Sequence, residues 1–88
     1  MQTDLSTHKE EVIYTEKQGQ YLAFIFYYTK INGAPPAQAD IQRYFEVTPP
    51  TVHQMILQLE KKGLISRTPN SPRSLKLCIP EAQLPRLK

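Results

Sequence analysis

At 88 residues with a formal net charge of +3, the chain has room for one small domain, because two pieces would each be too short to bury a core unaided. Its 40% apolar content, three Gly and eight Pro are ordinary for a globular chain punctuated by turns. The single cysteine, Cys78, excludes an internal disulfide and leaves a thiolate metal site without companions, which fits a cytoplasmic setting.

The polar start, Met1 to Glu11, has neither the basic cluster nor the apolar run of a secretory signal. The longest apolar-aromatic stretch, Tyr21 to Tyr28, is too short to span a bilayer, so no membrane partner is expected. Charge is unevenly placed: Met1 to Glu60 holds four Lys/Arg against seven Asp/Glu, and Lys61 to Lys88 holds seven against one. A local basic excess of this kind suits a phosphate backbone better than a neutral ligand, although a solvated basic tail has the same composition.

Residues 1–14 carry no sustained period and read as a flexible arm or a short lead-in helix. A first helix is expected from about Thr15 to Asn32, with Leu22, Ile25 and Tyr28/Thr29 at three- and four-residue steps and Asn32-Gly33 as its stop. Tyr21, Phe24, Phe26, Tyr27 and Tyr28 go most of the way around it, more aromatic surface than one core face uses. Another copy of the chain, meeting Tyr21, Phe24, Phe26 and Tyr27, would make a homodimer and cover the second side. The chain's own ends would be an alternative cover, and simple exposure a third reading.

Pro35 and Pro36 then restrict the backbone before a second helix, about Ala37 to Phe45, which turns Ile41 and Phe45 to one side and places Ala39 where a close helix crossing favours a small side chain. Glu46-Val47 forms a turn with Val47 pointing inward. Thr48 is a candidate cap for a third helix, and Pro49 fits its first turn without losing a needed amide bond. That helix, about Pro49 to Lys62, has Val52, Ile56 and Leu59 on one face with Met55 at its edge. The opposite arc carries Pro50, Gln54, Leu57 and Lys61, flanked by Thr51, His53 and Gln58. This surface is rich in hydrogen-bonding groups and almost free of negative charge, so it suits base edges in a major groove. For His53 alone, a solvated helix position or a packing or pH-sensitive contact are the competing roles.

Gly63 is placed to end the third helix with a left-handed residue, and Leu64 to Arg67 read as a strand. Ser74 to Ile79 reads as the return strand, with Leu75 and Leu77 inward, Lys76 outward and Cys78 on the outer or edge side. The intervening segment, residues 68–73, is rich in turn formers and would be a wing, with Arg73, then Arg67 and Lys76, as contacts to backbone or minor groove. A soluble hairpin also carries charged tips for its own sake. The core domain is therefore expected over residues 15–79. Residues 80–88 remain as a tail that either docks through Leu84 and Leu87 or moves freely.

Taken together, the expected fold is mainly α with a small antiparallel hairpin, a winged helix-turn-helix. From Glu16 to Leu77 the chain resembles the N-terminal DNA-binding domain of LexA-type repressors, with a more general likeness to MarR-like winged regulators. INGAPPAQADIQRYFEV is similar to that family's second helix with its leading prolines, TPPTVHQMILQLEKKGLI to its recognition helix, and SLKL to its return strand. The resemblance implies that Thr48, Pro50, Thr51, His53 and Gln54 read the operator while the wing touches the backbone, and it implies a bacterial or phage source. Pro50 stands where the family commonly has Asn, and His53-Gln54 replaces an acidic pair, so an SOS-type operator is not implied. The family's self-cleaving peptidase domain is not expected in a chain ending at Lys88, nor is regulation by autoproteolysis.

No catalytic constellation emerges: His8 and His53 and the scattered carboxylates form no acid–base pair in sequence, and no metal, nucleotide or phosphate-loop motif is present. The chain is read as no enzyme, with no cofactor and no small-molecule effector. Double-stranded DNA is the expected partner, and a winged-helix module for protein–protein interaction or nonspecific DNA binding is the rival.

Overall fold

The computed structural model describes residues 13–88, so all but the last two residues of the arm expected over residues 1–14 lie outside it. Three helices, α1 (Glu16–Asn32), α2 (Gln38–Phe45) and α3 (Pro49–Lys61), precede two short strands, β1 (Ile65–Ser66) and β2 (Lys76–Leu77), and a 3-10 turn at Glu81–Gln83. The strands pair antiparallel, with Ile65 opposite Leu77 and Ser66 opposite Lys76. This is a winged helix-turn-helix.

Each helix begins and ends for local reasons. Thr15 and Gln18 form a reciprocal capping box on α1: Thr15 Oγ1 accepts the Gln18 N–H at 3.1 Å, and Gln18 Oε1 accepts the Thr15 N–H at 3.0 Å. Gly33 stops α1 at φ 78°, a left-handed conformation in which a side chain would be strained. Helix α2 starts at Ala37, whose N–H donates to Asp40 Oδ2 at 2.9 Å, and it stops at Glu46 with φ 56°. That turn leaves Val47 half-buried against the core. Thr48 stands at the N-cap of α3, but its side chain makes no capping bond and instead pairs with Thr51 Oγ1 at 2.9 Å.

The core gathers Leu22 and Ile25 of α1, Ile41 of α2, Val52, Ile56 and Leu59 of α3, and Leu64, Ile65 and Leu75 from the hairpin. Helical periodicity located the helical members of this set, because apolar residues at three- and four-residue steps share one face. Three expectations change here. Tyr21 and Phe24 are not a dimer surface, since they are only 1% and 8% exposed. Tyr21 stacks on Phe45 with ring centroids 4.2 Å apart, and Phe24 lies 4.5 Å from the ring of Tyr44, so α2 covers the side that the sequence left open. Ala39 does not sit in a helix crossing either: it is exposed, and Ile41 alone of α2 is fully buried. The expected strands also shorten to two residues each, because the prolines and turn formers between them end the pairing early.

After β2 the chain returns to α1, and the tail docks. Gln20 Oε1 accepts the Lys88 N–H at 2.8 Å while its Nε2 donates to the Arg86 carbonyl at 2.7 Å. Tyr44 Oη donates to the Lys88 carbonyl at 2.9 Å, Tyr14 Oη to the Gln83 carbonyl, and Lys88 pairs with Glu16. Leu84 and Leu87 pack on the core beneath these bonds. Gly19 makes room for this arrangement: a Cβ there would lie 2.6 Å from the Tyr14 ring and 3.0 Å from Pro85.

Candidate nucleic-acid interface

Helix α3 buries Val52, Ile56 and Leu59 and half-buries Met55, which sends the rest of its circumference to solvent. Thr48, Pro50, Thr51, His53, Gln54, Leu57, Gln58 and Lys61 are all exposed on that arc. Glu60, the acidic residue of α3, is drawn aside into an ion pair with Arg67, 3.1 Å from Nε to Oε1. The surface therefore offers hydroxyl, imidazole and amide groups beside Lys61 without a free carboxylate from α3 itself.

Gln58 is less free than its exposure suggests. Its Oε1 accepts from Gln18 Nε2 at 3.3 Å, and Gln18 Oε1 also accepts from Lys62 Nζ at 2.7 Å, so the far end of α3 is tied to the start of α1. Sequence reading missed Gln18 in this role. The spacing Thr15-x-x-Gln18 is a capping signal that could have placed Gln18 at the start of α1, but the partners lie 40 and 44 residues away, and no local pattern announces them.

The wing also differs from expectation. Arg67 and Arg73 were expected as contacts to backbone or minor groove, and in the structure both also have partners within the domain. Arg67 Nε approaches Glu60 without the alignment of a hydrogen bond, so the contact is an ion pair only. Arg73 Nη1 donates to Tyr28 Oη at 3.1 Å and to the Pro35 carbonyl at 3.3 Å, and lies 3.1 Å from Asp40 Oδ2. Asp40 binds Arg43 as well, at 2.6 Å. The Ala37 N–H does most to hold the Asp40 carboxyl below the usual carboxylate range, aided by Arg73, Tyr28 and Arg43 against the opposing effect of burial. The guanidinium of Arg73 is correspondingly pushed up, chiefly by its bond to Tyr28. Lys76 is exposed on β2, and Cys78 is exposed beyond it. On α1, Phe26 is half-buried and Tyr27 is 37% exposed, with Ile31 bare one turn further on.

Among the described residues no three His, Cys, Asp or Glu side chains gather as a metal would require, and no helix is long and apolar enough to cross a membrane. Three helices, a tight turn before an exposed polar recognition helix, and a basic hairpin define a DNA-binding winged helix-turn-helix domain. The chain belongs to the LexA DNA-binding domain family, whose pattern matches residues 12–74. It is 44% identical over 63 residues to the LexA repressor of Thermosipho melanesiensis, 43% to that of Thermosipho africanus and 40% to that of Thermotoga maritima. Each alignment covers 72% of this chain and 32% of the relative, so the chain matches about a third of the length of these curated relatives. The part they share is the DNA-binding domain.

Proposed function

We propose that this domain is a sequence-specific regulator of transcription that lays α3 in the major groove of double-stranded DNA and sets its wing on the backbone or in the minor groove. The observation that carries this reading is the exposed arc of α3. Thr48, Pro50, Thr51, His53 and Gln54 stand together at its leading half, solvent-facing, and the one carboxylate of α3, Glu60, is paired with Arg67. Hydroxyl, imidazole and amide groups at that end of a recognition helix match the donors and acceptors that base pairs present in the major groove. Lys61, Lys76 and the wing arginines add the sequence-independent attraction to phosphate. The relatives' description as LexA repressors supports the regulatory role. A chromosomal target places the working protein in the cytoplasm.

Two copies are the favoured binding unit, meeting through Phe26 and Tyr27 with Ile31 beside them, the part of α1 that α2 and the tail leave uncovered. A dimer reads a palindrome, with half-sites one helical turn of about 34 Å or a multiple of it apart. Selection from a randomised duplex library at about 0.1 M salt, with light scattering of the complex, tests both statements. An enriched palindrome carrying two chains supports them. Weak, salt-sensitive binding without enrichment favours a nonspecific accessory module, and no DNA binding favours a protein-interaction role.

A further inference from the structure

Arg73 is held by one nitrogen. Every hydrogen bond it makes among the described residues runs through Nη1, to Tyr28 Oη and the Pro35 carbonyl, and the same atom meets the Asp40 carboxylate. A guanidinium has five N–H donors in a rigid plane, so anchoring one end fixes the direction of the others. The side chain remains 48% exposed. Arg73 itself borders a depression of about 390 Å³ between the start of α2 and the wing, lined in part also by Arg67, Asn70, Ser71 and Ser74 and by no carboxylate.

We infer that Arg73 is a preoriented phosphate ligand: Nη1 anchors it to the domain, and its Nε and Nη2 donors are offered to a backbone phosphate of the bound duplex. The inference rests on the DNA-binding reading and assigns the chemistry of one contact within it. Three features support it. A free arginine loses rotamer entropy when it is immobilised on a phosphate, whereas this one is already immobilised in the folded domain. Asp40 does not cancel the charge, because one carboxylate serves two guanidiniums, Arg43 and Arg73, and the cluster keeps a net positive charge. The backbone of Arg73 is left-handed at φ 58°, a strained conformation for a residue with a Cβ that the bonds of Nη1 hold in place. The base of the same hairpin is joined to α3 by Arg67 and Glu60, so the offered edge keeps a fixed position relative to the recognition helix.

The test measures affinity for a duplex of the selected sequence against salt concentration, for wild type, Arg73→Ala, Arg73→Lys and Asp40→Asn, with a melting curve for each. Arg73→Ala should weaken binding and lower the magnitude of the log–log salt slope by about 0.9, the signature of one lost phosphate contact. Asp40→Asn keeps the Arg73 charge and the acceptor for the Ala37 N–H but loosens the anchor. It should retain the slope while weakening binding several-fold, and Arg73→Lys should behave the same way. An Arg73→Ala domain that melts normally and keeps the wild-type slope would make Arg73 a brace only and overturn the inference. Tighter binding by Asp40→Asn would overturn it too, since Asp40 would then be withholding the cation. Should Arg73→Ala not fold, the Lys and Asn variants decide by affinity: wild-type affinity in both, with normal melting, would overturn the inference. A wild-type chain that binds no duplex defeats the DNA-binding reading itself, a result distinct from either.

Discussion

Gln18 and Lys62 join two distant parts of the domain: Lys62 Nζ donates to Gln18 Oε1 at 2.7 Å, and Gln18 is only 5% exposed. The same oxygen accepts the Thr15 N–H, and the amide nitrogen reaches Gln58. One side chain thus caps α1 and holds the far end of α3.

Replacing Gln18 by Ala should therefore destabilise the domain by about 1–3 kcal/mol, because it removes a cap and strands polar groups. Gln58→Ala, at the exposed end of the same network, should have an effect of about 0.5 kcal/mol. Urea denaturation of the two variants checks the ranking, and equal losses would show that Gln18 is no hub.

Gly19→Ala introduces a Cβ where the Tyr14 ring and Pro85 already stand, at 2.6 and 3.0 Å. The helix gains propensity from this change, but the overpacking should win, with a net loss of about 1–3 kcal/mol. A melting temperature equal to or above that of wild type would mean that the tail yields without penalty.

The pH dependence follows from Asp40. Its folded value is depressed, chiefly by the Ala37 N–H, so at acid pH the unfolded chain takes up this proton more readily than the folded one. The stabilisation is complete above the ordinary carboxylate range and declines below about pH 4, as the pH falls toward the folded value. Asp40→Asn should flatten part of that decline, leaving the part due to Glu16, whose carboxyl Lys88 also holds low. Denaturation midpoints at pH 6 and pH 3 measure it, and an acid loss identical to wild type would remove Asp40 from the account.

On the reading face, Gln54→Ala and His53→Ala should relax base preference by about 1–3 kcal/mol at the positions they meet. Val52→Asp, at a position 1% exposed, should unfold the domain by burying an unpaired carboxylate. Selection profiles of the two surface variants that match wild type would shift base reading to other residues of α3.

Much of this arrangement was legible in the sequence, because helices advertise a buried face every three or four residues. Leu22, Ile25, Ile41, Val52, Ile56 and Leu59 followed that rule, and Gly63 stopped α3 as expected with φ 76°. The aromatic excess of α1 was legible but not its cover, since periodicity says that Tyr21 and Phe24 are apolar without saying that Phe45 and Tyr44 meet them. The intramolecular partners of the wing were hidden for a related reason. A charge in a turn looks solvent-facing in sequence, whereas Arg73 finds Asp40, Tyr28 and Pro35 on elements 33 to 45 residues earlier. Local pattern also could not choose between a docked and a mobile tail, because the choice rests on Gln20 and Tyr44, two ordinary helix-surface residues.

The docked tail has a kinetic meaning. Its contacts with Tyr14, Glu16 and Gln20 join residues 66 to 72 positions apart, so each closes nearly the whole described chain into a loop. Helices α2 and α3, separated by a short turn, meet without such a closure and can pair early. The order of assembly therefore runs from the reading surface outward, with residues 80–88 arriving last. Backbone amides of that segment should exchange with solvent through openings that leave the helix pair intact.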